Sequence, residues 1–419
     1  MTTATPISGT KTERVGNNVI ARCRELALCT ETPGETTRMF LCDAMRECHK
    51  RVSAWMTAAG MTVSVDPAGN LRGVYEGASG DAPRLLIASH LDTVPNAGAF
   101  DGILGVLMGV ALVEELSREM AGKRLPFAIE VIGFSEEEGT RFGAPFLGSR
   151  ALLGTLDDDL LARTDADGLT VAEAIKDFGL DTGKLHEAKL AARPLGYLEI
   201  HIEQGPVLES EGLPLGVVEA IAGQTRMEFV FTGTANHAGT TPMHLRKDAL
   251  MAAAKWMLAV EEHARGVDGL VATTGRVTAV PGAVNVIAGE ARVTLDVRHA
   301  KDSVRTKAVE TVIAAAEKIA KERGVLASHK KMSEQAAVPM DAQLTELLAA
   351  AVKAAGVPVR MMVSGAGHDA MMVAPQMPAA MLFLRSPGGL SHHPDESVVP
   401  GDVEHALAAG MKFLEELAK

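Results

Sequence analysis

The sequence predicts an α/β protein with a larger domain, built on a mixed sheet flanked by helices, that is interrupted by a smaller α+β domain. Three observations predict it. Short apolar runs alternate with segments of helical spacing through the first half of the chain, the order that covers a sheet with helices. The same alternation returns after residue 333, beyond a stretch with its own two strand–helix units. At 419 residues the chain also exceeds what one hydrophobic core usually serves.

Residues 11–28 and 39–59 have helical spacing and are joined by a Thr/Pro/Gly-rich turn at 30–37. Residues 61–65 and 71–75 alternate as strands around a turn at 66–70. Residues 85–89 and 127–134 are apolar runs of strand length, with a helical pattern over 102–116 between them, and 197–202 is a further strand. After Gly216-Val217-Val218 the pattern changes. Strands at 226–232 and 291–297 each precede a helix, at 246–265 and 303–323, with 271–280 between them. This insert of about a hundred residues has the size of a domain. A helix at 345–355, a strand at 381–384 and a helix at 403–418 then resume the first pattern. The predicted division is 1–220 with 333–419 for the larger, catalytic domain and 221–332 for the smaller one, with Gly216 and Gly223 as hinges.

With 47% hydrophobic and 22% charged residues the chain is an ordinary folded protein, and with 4% aromatics against 20 methionines its core is mostly aliphatic. A net charge of -12 argues against nucleic acid or an anionic membrane as partner. Residues 1–12 are polar without the apolar core of a signal peptide, and no apolar run reaches the length of a membrane span. The expected location is cytoplasmic. The four cysteines, Cys23, Cys29, Cys42 and Cys48, lie in helical segments. Although His49 follows Cys48, no C-x-x-C pair is present, so reduced, packed thiols are expected rather than a zinc cluster.

Five short stretches place acids and histidines where folding alone does not ask for them. Ser89-His90-Leu91-Asp92 follows an apolar strand, and residues two apart share a face in extended chain. Asp92 is placed to accept the second ring N–H of a metal-bound His90. Phe100-Asp101-Gly102 precedes a helix. Asp101 reads as a helix cap or as a carboxylate between two cations, with Gly98 and Gly102 allowing something bulky to approach. Glu136-Glu137-Glu138-Gly139 ends a buried-type strand, where α/β proteins build their sites. A metal would relieve the repulsion and leave one glutamate as general base. His201 sits among apolar residues in a strand. Gly388-Gly389-Leu390-Ser391-His392-His393 is a glycine-rich loop after the last strand. Together His90, Asp101, Glu138, His201 and His392 supply three imidazoles and two carboxylates, a mixture suited to zinc or a similar divalent ion.

In order along the chain, His-Leu-Asp-Thr-Val, Phe-Asp-Gly, Glu-Glu-Glu-Gly-Thr-Arg-Phe, His-Ile-Glu-Gln-Gly-Pro, Asn-His-Ala-Gly-Thr-Thr-Pro-Met, Ser-Gly-Ala-Gly-His-Asp-Ala and Gly-Leu-Ser-His resemble the hydantoinase/carbamoylase family of zinc-aminopeptidase-like amidohydrolases. That group includes allantoate amidohydrolase, N-carbamoyl-L-amino-acid hydrolase and β-ureidopropionase. The resemblance implies two divalent ions, Zn2+ or Mn2+ with Co2+ or Ni2+ as other options. His90 and His201 would each hold one ion, Asp101 would bridge them, and Glu138 and His392 would complete the shells. Glu137 would be the general base, with Asp92 also among the catalytic residues. His237 would stabilise the oxyanion, reaching across from the partner of a homodimer formed by the smaller, lid-like domain. Gln204, Asn285 and Arg298, with Gly389 in the last loop, would contact a small ureido carboxylate, Arg298 through its guanidinium fork. The doubled histidine leaves His393 as an alternative ligand to His392, and the roles of His368 and Asp369 stay open. Two other functions share this framework: a dipeptidase or N-acyl-amino-acid deacylase, and a binding protein without catalysis.

Overall fold

The computed structural model describes residues 11–120 and 122–419; the polar start at 1–12 lies outside them except for its last two positions. The chain divides into two compact units, Met1–Glu219 with Met340–Met362 and Gly367–Lys419, and Ala220–Pro339 with Val363–Ala366. The sequence reading ended the smaller domain at 332, whereas the chain leaves this unit at Pro339. The strand Leu326–Gln335 extends the unit's sheet, and it is too exposed and polar to announce itself as a strand.

The larger unit contains a mixed sheet flanked by helices. Its strands β1 (Thr62–Val65), β2 (Leu71–Tyr75), β3 (Arg84–His90), β4 (Ala128–Phe134), β5 (Pro194–Ile202) and β6 (Leu215–Ile221), with the strand Ala379–Leu384, follow the order β1, β2, β4, β3, β5, 379–384, β6. The four in the middle are mutually parallel, and the flanking pairs are antiparallel. Every residue of β4, and all but the first of β3, is buried. Coverage on both faces is why these strands read as largely apolar runs rather than alternating ones, with the buried Glu130 of β4 paired to Arg72 and Arg84.

Helices α1 (Lys11–Ala27), α2 (Asp43–Ala58) and α3 (Ile103–Met120) pack into this core. The cysteines of the described residues are free and buried, and burial pushes the Cys42 thiol up to about 12 and that of Cys48 to about 11. Fully buried Arg38 donates to the carbonyls of Leu26, Cys29 and Leu91, tying the end of α1 to the chain that leaves β3. Gly105 lets α3 lie against β5, because a Cβ there would run into the Ile200 carbonyl oxygen. Gly105→Ala is expected to destabilise by about 2 kcal/mol or more, read from the denaturant midpoint, since the obstacle is backbone. Gly109→Ala should cost less: its neighbours are Val131 and Ile87 methyl groups at 3.0–3.1 Å, which can shift.

In the smaller unit β7 (Gly223–Thr232) lies between Glu290–His299 and Leu326–Gln335, antiparallel to both. The segment predicted as one piece at 271–280 is two short strands, Val271–Thr273 and Val277–Val280, both pairing with Glu290–His299. Alternate residues of β7, among them Phe229 and Phe231, join Trp256 and helices Ala249–Arg265 and Asp302–Arg323 in a separate core. The intervening residues Gln224, Arg226 and Glu228 occupy the more exposed positions. Among the described residues no helix is long and apolar enough to cross a membrane.

Candidate metal centre

All five predicted ligands belong to the larger unit, and the four middle strands explain why they meet. His90 ends β3, Glu138 follows β4, His201 lies near the end of β5, and His392 follows Ala379–Leu384. Loops leaving the carboxyl ends of neighbouring parallel strands emerge on one edge of the sheet. Asp101 reaches the same edge just ahead of α3. The glycines beside it admit two side chains: a Cβ at Gly102 would strike the His90 ring, and one at Gly98 would strike Glu396.

Donor atoms of His90, Asp101 and His201 converge within 4.8 Å of one another, as do those of Asp101, Glu138 and His392. The two Nε2 atoms of His90 and His201 are 3.5 Å apart and lie 3.4 and 3.2 Å from Asp101 Oδ1. This pair therefore faces one point through Asp101, where the resemblance implied one ion for each imidazole. The sequence could not show that β3 and β5 are neighbours with both side chains on one face. His392 Nε2 lies 3.4 Å from Asp101 Oδ2 and 3.5 Å from Glu138 Oε1. His393 turns instead towards Asp395, so geometry favours His392.

The hydrogen bonds behind the rings fix their chemistry. His90 Nδ1 donates to the Asp92 carbonyl at 3.0 Å and His201 Nδ1 to the Ile202 carbonyl at 2.9 Å. Carbonyls only accept, so each neutral ring presents an Nε2 lone pair to the other ring and to a carboxylate oxygen. The Gly102 amide donates to His201 Nε2 at 3.3 Å. Such converging lone pairs fit a cation between them. When protonated, the same nitrogens donate to Asp101. Burial opposes charging the rings, but hydrogen bonds to Asp101 hold His90 and His201 above the histidine range. Burial would likewise raise Asp101, yet bonds from His201 and His90 keep it well below the carboxylate range. Burial, then the Asp101 charge, raises Glu138 to about 8, and burial lifts Glu137 well above the glutamate range. The donor set therefore fits divalent ions, which would relieve this crowding.

Asp92 meets His90 twice, its backbone carbonyl at 3.0 Å and its carboxylate Oδ1 at 3.4 Å from His90 Nδ1. The carboxylate accepts the Glu137 and Glu138 amides at 3.0 and 3.1 Å, gripping the glutamate loop. Glu396, which the sequence reading missed, does the same for the Asp101 loop, accepting the Phe100 and Asp101 amides at 2.9 and 3.0 Å. Only the demand of Gly98 for a close neighbour pointed to it. Ser391 Oγ and Gln204 Nε2 each donate to Asp101 Oδ2 at 2.8 Å, while Gln204 Oε1 is a buried acceptor without a partner among the described residues. His368 is buried with its ring 4.5 Å from that of His201, and Asp369 is fully buried beside it. Both back the site rather than face solvent. Gly389, with φ of +64°, packs against Pro206.

His237, Asn285 and Arg298 belong to the smaller unit. His237 ends the short strand Asn236–His237, which pairs with Val286–Ile287, and the Ala238 amide donates to the Asn285 carbonyl at 2.9 Å, so His237 and Asn285 adjoin at exposed positions. His237 Nδ1 accepts the Gly239 amide at 3.1 Å, so the neutral ring carries its proton on Nε2. Arg298 does not present a free fork: its Nε and Nη2 donate to Asp296 at 2.9 and 3.1 Å.

This α/β architecture, with imidazoles and carboxylates gathered beyond the carboxyl ends of parallel strands, defines a hydrolase with a site suited to divalent metals. The chain belongs to Peptidase family M20/M25/M40, which matches residues 86–419, and within it groups with the hydantoinase/carbamoylase amidohydrolases, enzymes of non-peptide C–N bonds. An N-carbamoyl-L-amino acid amidohydrolase of Geobacillus stearothermophilus is 41% identical over 385 residues, 91% of this chain and 93% of the relative. A probable allantoate deiminase of Oryza sativa subsp. japonica is 37% identical over 438 residues, 97% of this chain and 89% of the relative. A hydantoinase/carbamoylase family amidase from Burkholderia ambifaria has a TM-score of 0.90 at 35% identity, covering 96% of this chain and 98% of its own.

Proposed function

We propose that the protein hydrolyses the ureido C–N bond of a small carboxylate substrate, allantoate or an N-carbamoyl-L-amino acid, with two divalent ions held by His90, His201, Asp101, Glu138 and His392. The observation that carries this reading is the convergence of two imidazole lone pairs on Asp101, with Glu138 and His392 around its second oxygen. Zinc or manganese suits the donor set, and cobalt or nickel would also be accepted. Bound ions would lower the pKa of a shared water and polarise the substrate carbonyl.

The chain's own groups supply the rest. Glu137 takes the proton from the attacking water and passes it to the leaving nitrogen. The C–N bond breaks, ammonia leaves, and the remaining carbamate collapses to carbon dioxide and an amine. His237, fixed as an Nε2–H donor, stabilises the charge on the carbonyl oxygen. The unpartnered Gln204 Oε1 accepts an N–H of the ureido group, Asn285 and the Gly389 loop contact its flanks, and Arg298 pairs with the carboxylate. The smaller unit joins its twin in a homodimer. Its exposed apolar side chains, including Met243, Leu245, Leu258, Val271 and Val284, support that arrangement.

The test is a panel of allantoate, ureidoglycolate, N-carbamoyl-L-amino acids, their N-acetyl counterparts and dipeptides, assayed on protein reconstituted with zinc or manganese. Ammonia release from a ureido substrate should proceed with kcat/KM at least about 100-fold above that for acyl or peptide hydrolysis. Faster cleavage of a dipeptide or N-acetyl acid would replace this function with a peptidase or deacylase.

A further inference from the structure

We propose that Asp296 is the positioning residue for Arg298, gripping one edge of its guanidinium so that the other edge is offered to the substrate carboxylate. The proposal rests on the assignment of Arg298 as the carboxylate's partner.

Asp296 and Arg298 lie two apart on the strand Glu290–His299, which puts them on one face. Across the ladder from them on β7 stand Arg226 and Gln224. Asp296 is the hub of this square. Its Oδ1 accepts Arg298 Nε at 2.9 Å, and its Oδ2 accepts Arg298 Nη2 at 3.1 Å, Arg226 Nε at 3.0 Å and Gln224 Nε2 at 2.7 Å. Arg298 Nη1 donates to the Gly365 carbonyl at 2.6 Å.

Of the five guanidinium N–H donors, those bonds engage three and leave one on each Nη nitrogen. The N–H left on each Nη nitrogen can receive a carboxylate two-to-two at the end of the guanidinium. Charge points the same way. Two guanidiniums share one carboxylate, leaving a net positive patch, with the Arg298 and Arg226 side chains 30% and 55% exposed. An ion pair at such exposure adds little to stability, so its use lies in orientation. Burial acts to raise Asp296, but its bonds to Arg298 and Arg226 keep it below the carboxylate range. The hub thus stays ionised at neutral pH.

The same contacts could act the opposite way, with Asp296 occupying Arg298 until substrate displaces it. Kinetics separates the two by sign. In the metal-loaded enzyme with its best carbamoyl substrate, Asp296→Ala should raise KM by about 10- to 100-fold, with kcat within about threefold of the parent. Asp296→Asn, which retains an acceptor, should recover part of the loss. Preference for the substrate over its carboxamide analogue should fall in parallel, an effect that mere loosening of the fold would not produce. Arg298→Met should raise KM at least as much, and adding Asp296→Ala to it should change little further. A lowered or unchanged KM in Asp296→Ala, beside a raised one in Arg298→Met, overturns the positioning role alone. An unchanged KM in Arg298→Met overturns the assignment of Arg298 and this inference with it.

Discussion

Glu137→Gln is expected to lower kcat by about 1,000-fold or more while the protein keeps its fold and its full metal content. A positioned general base contributes roughly 100- to 10,000-fold, and an amide cannot accept the water's proton. The substitution is nearly isosteric, and the hydrogen bond that places the loop runs from the Glu137 backbone amide to Asp92, which the change leaves intact. Fold should not suffer either: burial and the charges of Glu138 and Asp369 disfavour an ionised Glu137, so a neutral side chain suits the pocket. Metal content makes the experiment discriminating, because an oxygen of Glu137 also lies within 4.8 Å of donor atoms of His90 and Glu138. A base should be lost with both ions retained; a ligand should take an ion with it. Elemental analysis per chain beside kcat reads both. A variant within tenfold of the parent rate, or one short of an ion, sinks the assignment.

Two of the ligand stretches were legible because each follows or ends a strand with an unmistakable apolar run, and acids or histidines at the end of such a run have no role in its packing. His90 after Leu85–Ser89 and Glu138 after Phe127–Phe134 are of this kind. Sheet order was not legible. Whether His90 and His201 serve one ion or two depends on β3 and β5 being neighbours, and periodicity says nothing about neighbours. Glu396 escaped because it acts through the Phe100 and Asp101 amides from an irregular loop, where any sequence supplies amides. The strand Leu326–Gln335 escaped because it is an exposed edge of its sheet, with no buried face to enforce alternation. Arg298 is legible as a cation of the right type, but its engagement by Asp296 is a matter of side-chain geometry that no spacing fixes.

Chelating the divalent ions is expected to lower the melting temperature by about 5 °C or more at pH 7, and the gap between loaded and stripped protein should widen as pH rises from 5 to 8. An ion at about 100 times its Kd contributes about 2.7 kcal/mol per site, and with an unfolding entropy of about 2.1 cal/mol/K per residue a chain of 419 residues shifts by roughly 1 °C per kcal/mol, so two sites give about 6 °C. The pH trend follows from which state holds protons. In the stripped chain burial and the Asp101 charge raise Glu138 from 4.5 to about 8 and Glu396 from 4.5 to about 7. The folded form therefore keeps protons that the unfolded chain has released above about pH 4.5. Stability tied to these groups is complete below that value and is lost as pH climbs through 7 and 8. With ions bound the sign reverses, because Glu138 is then stabilised as a carboxylate and acid competes with the metal. Melting curves at pH 5, 6, 7 and 8, with and without chelator, read the difference directly. Parallel curves, or curves that converge with rising pH, would mean that these carboxylates do not face the ions, and the centre would have to lie elsewhere.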